Sequence, residues 1–406
     1  MKAPDLFVPA FTTLSPAMLL RRPKRKQPFP FSSPQVRYFY FARNGLWYLV
    51  KLLGLEGREI LMPSYHHGVE VEALMAAGAR LRFYRVGRHM DVDLDDVERK
   101  IGPQTAALHL THFVGFPGPA REMKAIAERH GLVLIEDCAH ALLTCADDEP
   151  VGQTGDVSIF CLYKKLPVPH GGAVVVNKPG LGNVPKLTPP PASSTLSLLA
   201  SSILRNMALR GGWPGRSLRR MVLRVGKGTL RASKVQPVLT GTEHFNPQHL
   251  PLGMNRLALR IGLSHDMNRV RQAFRRNYLF LEDQLSDLVP PFFPSLPPGT
   301  APFFYPLVVE DSRATVTELL ARGIEAVEFW HGPHPACDVR QFPDVAWLRN
   351  SIVEIPCHHN ISIATLRRVC HVVREVVTNR RKFGGTPGAS SETVTKFACE
   401  AISLDE

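Results

Sequence analysis

An α/β fold, with a mainly parallel sheet between helices and a second, smaller α/β domain, is the architecture this 406-residue sequence predicts. Three observations carry the prediction. Short aliphatic runs alternate with helix-sized amphipathic segments up to about Val176. The rhythm breaks near Pro179 and resumes near Gly253. At least one aliphatic run delivers a carboxylate at its C-terminal end, the edge where open parallel sheets bind ligands.

The elements follow in order. Residues 1–35 read as a Pro-rich basic arm with the cluster Arg21, Arg22, Lys24, Arg25 and Lys26, and order is expected from Tyr38. Gly45 to Leu55 has helical apolar spacing, Glu59 to Met62 reads as a strand, Val69 to Ala77 as a helix, Leu81 to Val86 as a strand and Leu94 to Ile101 as a helix. Thr105 to Leu110 is strand-like, Ala120 to His130 helical and Leu132 to Ile135 a buried strand. Val157 to Leu162 and Ala173 to Val176 complete the large domain, residues 36–180. Residues 181–250 form a basic insertion or linker. Within the smaller domain, 251–378, Asn255 to Leu285 reads as one long helix, Tyr305 to Val309 as a strand, Arg313 to Arg322 as a helix closed by Gly323, and Ile361 to Val377 as the last helix. Residues 379–406 read as a flexible tail.

Composition bounds the function. The chain is 44% hydrophobic and 21% charged, ordinary for a soluble protein, and contains no run of eighteen apolar residues. Its start shows no apolar stretch leading to a small-residue cleavage site, so a cytoplasmic protein is the default expectation. Seven cysteines without a C-x-x-C pair argue against a disulfide framework and a zinc knuckle, and no metal site is expected. The formal charge of +13 calls for anionic company. Much of it is local: no acidic residue occurs between Asp156 and Glu243, whereas Arg205, Arg210, Arg216, Arg219, Arg220, Arg224, Lys227, Arg231 and Lys234 accumulate. Residues 186–236 therefore admit two readings, weak contact with an anionic membrane or, as preferred, a segment packed on the domain with a solvated basic face. A nucleic-acid partner is not expected, because the basic run lacks interleaved aromatics.

Two strand ends supply chemistry. Leu132-Val133-Leu134-Ile135-Glu136-Asp137-Cys138-Ala139-His140-Ala141 presents Asp137, and Cys161-Leu162-Tyr163-Lys164-Lys165-Leu166-Pro167 presents a lysine on a turn ahead of Gly171-Gly172. A carboxylate and an amine converging from neighbouring strands suit pyridoxal 5'-phosphate. The carboxylate keeps the pyridine nitrogen protonated, and the lysine binds the cofactor covalently and then carries the substrate proton. A phosphate cradle is expected at Arg43-Asn44-Gly45 ahead of a helix, through Asn44 and Gly45. In Pro63-Ser64-Tyr65-His66-His67-Gly68, His67 is the candidate to lie on the cofactor ring. A strand-end Asp can equally be a cap, and paired histidines a polar loop.

With these residues assembled, the chain resembles the DegT/StrS sugar aminotransferases, a branch of the fold type I pyridoxal phosphate enzymes, over about residues 36–180 and 250–377. Glu136-Asp137-Cys138-Ala139-His140-Ala141 looks like the family's E-D-x-A-[QH]-[AS] signature. His112-Phe113-Val114-Gly115, Gly155-Asp156 and Gly253-Met254-Asn255-Arg256 are similar to further family motifs. The resemblance implies a seven-stranded sheet, a role for Asp137 at the ring nitrogen and for His140 near the phenolic oxygen, Cys161 in place of a phosphate-contacting serine, and Asn255 reaching the partner's phosphate in a homodimer. It also implies transfer of an amino group from an amino acid, glutamate by preference, to a nucleotide-linked keto sugar. Arg43-Asn44-Gly45, His66 and His67 depart from the family pattern, and a one-residue ambiguity leaves Lys164 or Lys165 as the cofactor lysine. A divergent subgroup reading L-R-K-x-L-P-x-P-D-G-G favours Lys164. The alternative is a catalytically idle relative that binds a nucleotide sugar or a protein partner. His358 and His359 are further polar residues without an assigned role.

Overall fold

The computed structural model describes residues 6–180, 186–219, 221–222 and 245–383. Its large domain is built on a seven-stranded sheet: β1 (Val36–Phe39), β2 (Glu59–Pro63), β3 (Arg80–Tyr84), β4 (Thr105–Thr111), β5 (Val133–Asp137), β6 (Val157–Cys161) and β7 (Gly172–Val176). The spatial order is β1-β7-β6-β5-β4-β2-β3. All contacts from β6 to β3 are parallel, and β7 alone runs against its neighbours β1 and β6. The strands read as near-continuous apolar runs because both faces are covered: Leu134, Ile135, Val157, Ile159 and Phe160 are buried. Each such side chain contributes about 2 kcal/mol on burial.

Helices α1 (Ala42–Leu52), α2 (Val69–Ala76), α3 (Leu94–Lys100) and α4 (Ala120–Arg129) make the crossovers. In α4, Met123, Ile126 and Ala127 form the buried stripe and the charges lie outside. In α3, the Asp93 side chain accepts from the Asp96 N–H, and Arg99 and Lys100 occupy the last turn, favourable placements at both helix ends.

Helix α1 begins three residues earlier than its periodicity suggests, so Arg43, Asn44 and Gly45 lie in its opening turns and not ahead of it. Packing explains Gly45: a Cβ there would lie 2.5 Å from Val174 Cγ2. Gly172 is tighter still, since a Cβ would lie 2.3 Å from Ala42 N and 2.4 Å from Ala42 Cα. Gly172→Ala is therefore expected to cost about 3 kcal/mol, with backbone and not a rotamer having to yield. Urea unfolding checks this as a lower midpoint at unchanged slope.

After β7 comes α5 (Ala192–Arg210), which packs on the protein through Leu198, Leu199 and Asn206 and through buried Arg205, paired with Glu325. Residues 220 and 223–236 of the basic run lie outside the described residues. The predicted single helix from Asn255 is two, α6 (Arg256–Leu263) and α7 (Met267–Leu285). Asp266 accepts from the Arg269 N–H and so caps a new helix, which the apolar periodicity alone did not reveal. The smaller domain adds β8 (Phe304–Val308), α8 (Ser312–Ala321), β9 (Val327–Glu328), α9 (Pro343–Ser351), β10 (Ile352–Pro356) and α10 (Ile363–Phe383). Its three strands pair antiparallel in the order β8-β10-β9. The last helix runs past the expected boundary at 378 as far as Phe383.

The N-terminal arm is a correction. From Leu6 onward it is part of the fold: Leu6, Val8 and Leu14 are buried, and Val8 bridges Ile324. The Thr13 N–H donates to Asn360 Oδ1 at 2.7 Å. Composition suggested a loose arm because its partners, Ile324, His358 and Asn360, lie more than three hundred residues away. The basic cluster 21–26 does remain exposed on its surface.

Candidate active site

The carboxyl ends of β2, β4, β5 and β6 meet the small domain along one edge, which the Phe303 N–H to Val114 O bond (2.7 Å) and the Tyr65 hydroxyl to Phe329 O bond (2.8 Å) stitch together. Asp137, the last residue of β5, is buried there. Its Oδ1 accepts from the Ala139 N–H at 2.8 Å, and Oδ2 lies 3.8 Å from His109 Nε2. Burial raises the Asp137 pKa above the ordinary range, against the Ala139 N–H, Lys164 and His112, which favour the charged form. Burial also drives His109 down to about 4, so the imidazole beneath the carboxyl is neutral at pH 7.

Lys164 stands on the turn after β6, partly exposed, with Nζ 5.6 Å from the Phe303 ring centroid. Its charge acts on Asp137, His140 and Cys161, so the predicted groups share one electrostatic space. Lys165 points elsewhere. It is wholly buried, donates to Leu142 O at 3.0 Å and to Ala301 O, and burial lowers it to about 7. A Cβ on Gly115 would lie 3.3 Å from its amine. Lys165 thus ties the large-domain loops to residue 301, and Lys164 is the lysine that faces Asp137.

The histidines separate in the same way. His66 turns into the core, stacked 5.2 Å from Phe83, with Nδ1 3.2 Å from Pro63 O, and burial lowers it to about 3. His67 lies toward the site, edge-on to Trp330 at 6.4 Å, and its N–H donates to Glu70 at 2.8 Å. His140 is stacked on Phe303 at 4.9 Å and lies 5.3 Å from Trp330; burial keeps it neutral. Trp330 has a φ of 51°, a left-handed conformation unusual for a bulky residue. Arg349 of α9, itself buried, donates to the carbonyls of His66 and Trp330 and so clamps the two loops.

The remaining candidates divide. Asn44 is 1% exposed, and its Nδ2 has no partner among the described residues, an orphaned donor in the first turn of α1. Cys161 ends β6 beside Lys164, its thiol raised by burial. Gly45 is explained by packing. Asn255 caps α6, its Oδ1 accepting from the Leu257 N–H at 2.8 Å, which leaves only its amide end for a partner. His112 donates through Nε2 to Glu136 (3.0 Å) while Nδ1 accepts from the Gly118 N–H (2.9 Å). Although His112, Glu136 and Cys138 gather within 4.8 Å, both His112 nitrogens are committed, and the trio acts as a strut under the site. Asp156 is a second strut, accepting from Lys124 and the Leu134 N–H, each at 2.8 Å. His358 serves the N-terminal arm, bonding Pro9 O at 2.9 Å, and His359 lies between His265 and Phe274.

Missed in the sequence were the aromatic wall and one carboxyl. Phe303, Phe329 and Trp330 come from the small domain, and Glu354 of β10 faces Lys164. A lone carboxylate in the apolar run Ile352-Val353-Glu354-Ile355-Pro356 was the available signal for the last.

These residues fit pyridoxal phosphate: a buried acid, an amine whose charge reaches it, flat neutral rings beside that amine, and an unsatisfied amide at a helix start. The fold is that of the fold type I pyridoxal phosphate transferases. Residues 42–186 match the DegT/DnrJ/EryC1/StrS aminotransferase family model. GDP-perosamine synthase of Vibrio cholerae is 34% identical over 150 residues, covering 35% of this chain and 41% of the relative. The dTDP-4-dehydro-2,3,6-trideoxy-D-glucose 4-aminotransferase of Saccharopolyspora spinosa is 31% identical over 153 residues, 37% of this chain and 40% of the relative. The matched part thus spans about two fifths of each of these curated relatives. Among solved structures, Helicobacter pylori PseC, an aminotransferase involved in pseudoaminic acid biosynthesis, superposes with a TM-score of 0.65 at 16% identity, over 92% of this chain and 100% of that one, a likeness of fold.

Proposed function

We propose that the chain is a pyridoxal-phosphate-dependent aminotransferase that moves an amino group from an amino acid, glutamate by preference, to a nucleotide-linked keto sugar. The observation that carries the reading is the convergence of Asp137 and Lys164 at adjacent strand ends, with Lys165 withdrawn into the carbonyls of Leu142 and Ala301. The names of the matched relatives supply the sugar.

When bound, the cofactor supplies an electron sink for the pair released when the substrate Cα–H bond breaks. Asp137 would hold a proton on the ring nitrogen, its charged form favoured by the Ala139 N–H, Lys164 and His112 against the burial that raises its pKa. The Lys164 amine would take the Cα proton and return it, from a turn that leaves it partly exposed. His140 and His67, on a wall of aromatic rings, orient the ring and exclude water. Asn44, with the start of α1, meets the phosphate. A homodimer, with the Asn255 amide directed to the second copy, completes the proposal.

Incubation of the purified protein with ¹⁵N-glutamate and a panel of GDP-, UDP- and dTDP-linked keto sugars, followed by mass spectrometry, tests the activity. The expected result is one ¹⁵N-labelled amino sugar. A cofactor-loaded protein that labels none of the panel contradicts it and leaves the idle-relative reading.

A further inference from the structure

We propose that Glu354 is the group that reads the sugar, its carboxyl holding a hydroxyl of the acceptor inside the cleft. The proposal rests on the aminotransferase reading above.

Strand register places the side chain. In β10, Glu354 pairs with Pro306 of β8 and Val327 of β9, and Pro356 pairs with Phe304. Paired residues share a face, as do residues two apart. Phe304 identifies that face: its ring meets Phe329 at 4.8 Å and His140 at 6.2 Å, on the side of the large-domain strand ends. The opposite face carries Tyr305, 5.3 Å from Tyr278 of α7, together with Val353 and Ile355 in the small-domain core. Glu354 therefore looks across the seam at the site.

The carboxyl is partly accessible although deep in the protein, and no described group hydrogen-bonds or ion-pairs with it. A desolvated carboxyl on an apolar strand costs stability unless something meets it. The charged or titratable groups around it are few: Lys164 from the turn after β6 and Tyr65 from the loop after β2. On β9, the neighbouring Glu328 is engaged with His331 at 3.2 Å, and β8 offers uncharged Pro306. Burial pushes Glu354 up to about 8, against the pull of Lys164. At neutral pH the group is an uncharged acid that both donates and accepts, as a sugar hydroxyl requires. Phe303, which lies under the same Lys164 amine, and Trp330, beside His140, offer flat apolar surfaces of the kind on which the C–H faces of a sugar ring lie. A neutral acid also suits the acceptor better than the donor, whose carboxylates call for a cation.

The test compares Glu354→Leu and Glu354→Gln with the parent enzyme. The donor half-reaction is followed by loss of the cofactor's visible band on adding glutamate, and acceptor kcat/KM is measured separately. Glu354→Leu is expected to lower acceptor kcat/KM on the order of 30-fold, leaving the donor half-reaction within a few-fold. Glu354→Gln, which keeps a donor and an acceptor, stays close to the parent below pH 8 and loses the parent's inflection near that pH. Equal losses in both half-reactions, or none in either, overturn the proposal. Calorimetry provides a readout without turnover, using GDP-mannose and UDP-N-acetylglucosamine against GDP and UDP. The affinity gained from the sugar should fall about ten-fold in Glu354→Leu. No gain from the sugar in the parent, or an undiminished gain in the variant, overturns the proposal. Failure of the donor half-reaction in the parent strikes the aminotransferase reading itself, and the calorimetric comparison then still judges Glu354.

Discussion

Lys164→Ala is expected to lower the rate of amino transfer by about four orders of magnitude or more, with folding intact. The amine is the only base described on the turn that faces Asp137, and positioned proton transfer alone accounts for about 10²- to 10⁴-fold; loss of the covalent anchor adds to this. Since Lys164 is partly exposed, truncation leaves no large cavity. Lys165→Ala should give the opposite profile. It strips the Leu142 carbonyl of its lysine donor, leaves Ala301 O only the 3.4 Å contact from the Thr144 hydroxyl and opens space beside Phe274, so stability falls by about 2–4 kcal/mol. Turnover per folded molecule should stay near the parent's. Single-turnover kinetics and urea unfolding on both variants check the pair of profiles, and a catalytic loss confined to Lys165→Ala would reverse the assignment.

Asp137→Asn is expected to lower kcat by about 10²- to 10³-fold at nearly unchanged KM. A neutral amide of the same shape still accepts from the Ala139 N–H, but it cannot hold a protonated ring nitrogen, and removing one partner of a buried charged pair costs about 3–5 kcal/mol. The effect should appear in both half-reactions, because the electron sink serves both. That distinguishes Asp137 from Glu354, whose loss should be felt at the acceptor alone. Pre-steady-state absorbance measurements on the two variants separate the cases.

The sequence disclosed the strand tips because local rules govern them. An aliphatic run ending in Glu136-Asp137 must place its carboxylate at the carboxyl edge of a parallel sheet, and a lysine on a turn before two glycines must lie at the next edge along. Which of two adjacent lysines faces the site was not local: it depends on Ala301, far along the chain. Similarly, Val8 and Thr13 looked like a loose arm until Ile324 and Asn360 were folded against them. Gly45 looked like a phosphate-loop glycine, although the close approach of α1 to β7 is what it accommodates, as Gly172 does from the strand side. Asn44, named for the same cradle, kept an unsatisfied amide there. Glu354 escaped notice because its meaning depends on strand register: shifted by one residue, it would point into the helical core beside Tyr305.

The central claim is that Asp137 and Lys164 grip opposite ends of one flat cofactor. Its most direct test is to reduce the cofactor-loaded protein with borohydride and sequence the pyridoxyl-bearing peptide by mass spectrometry. The account predicts a yellow protein whose band is discharged and whose label sits on Lys164. A label on Lys165, or a protein that takes up no pyridoxal phosphate, would contradict it.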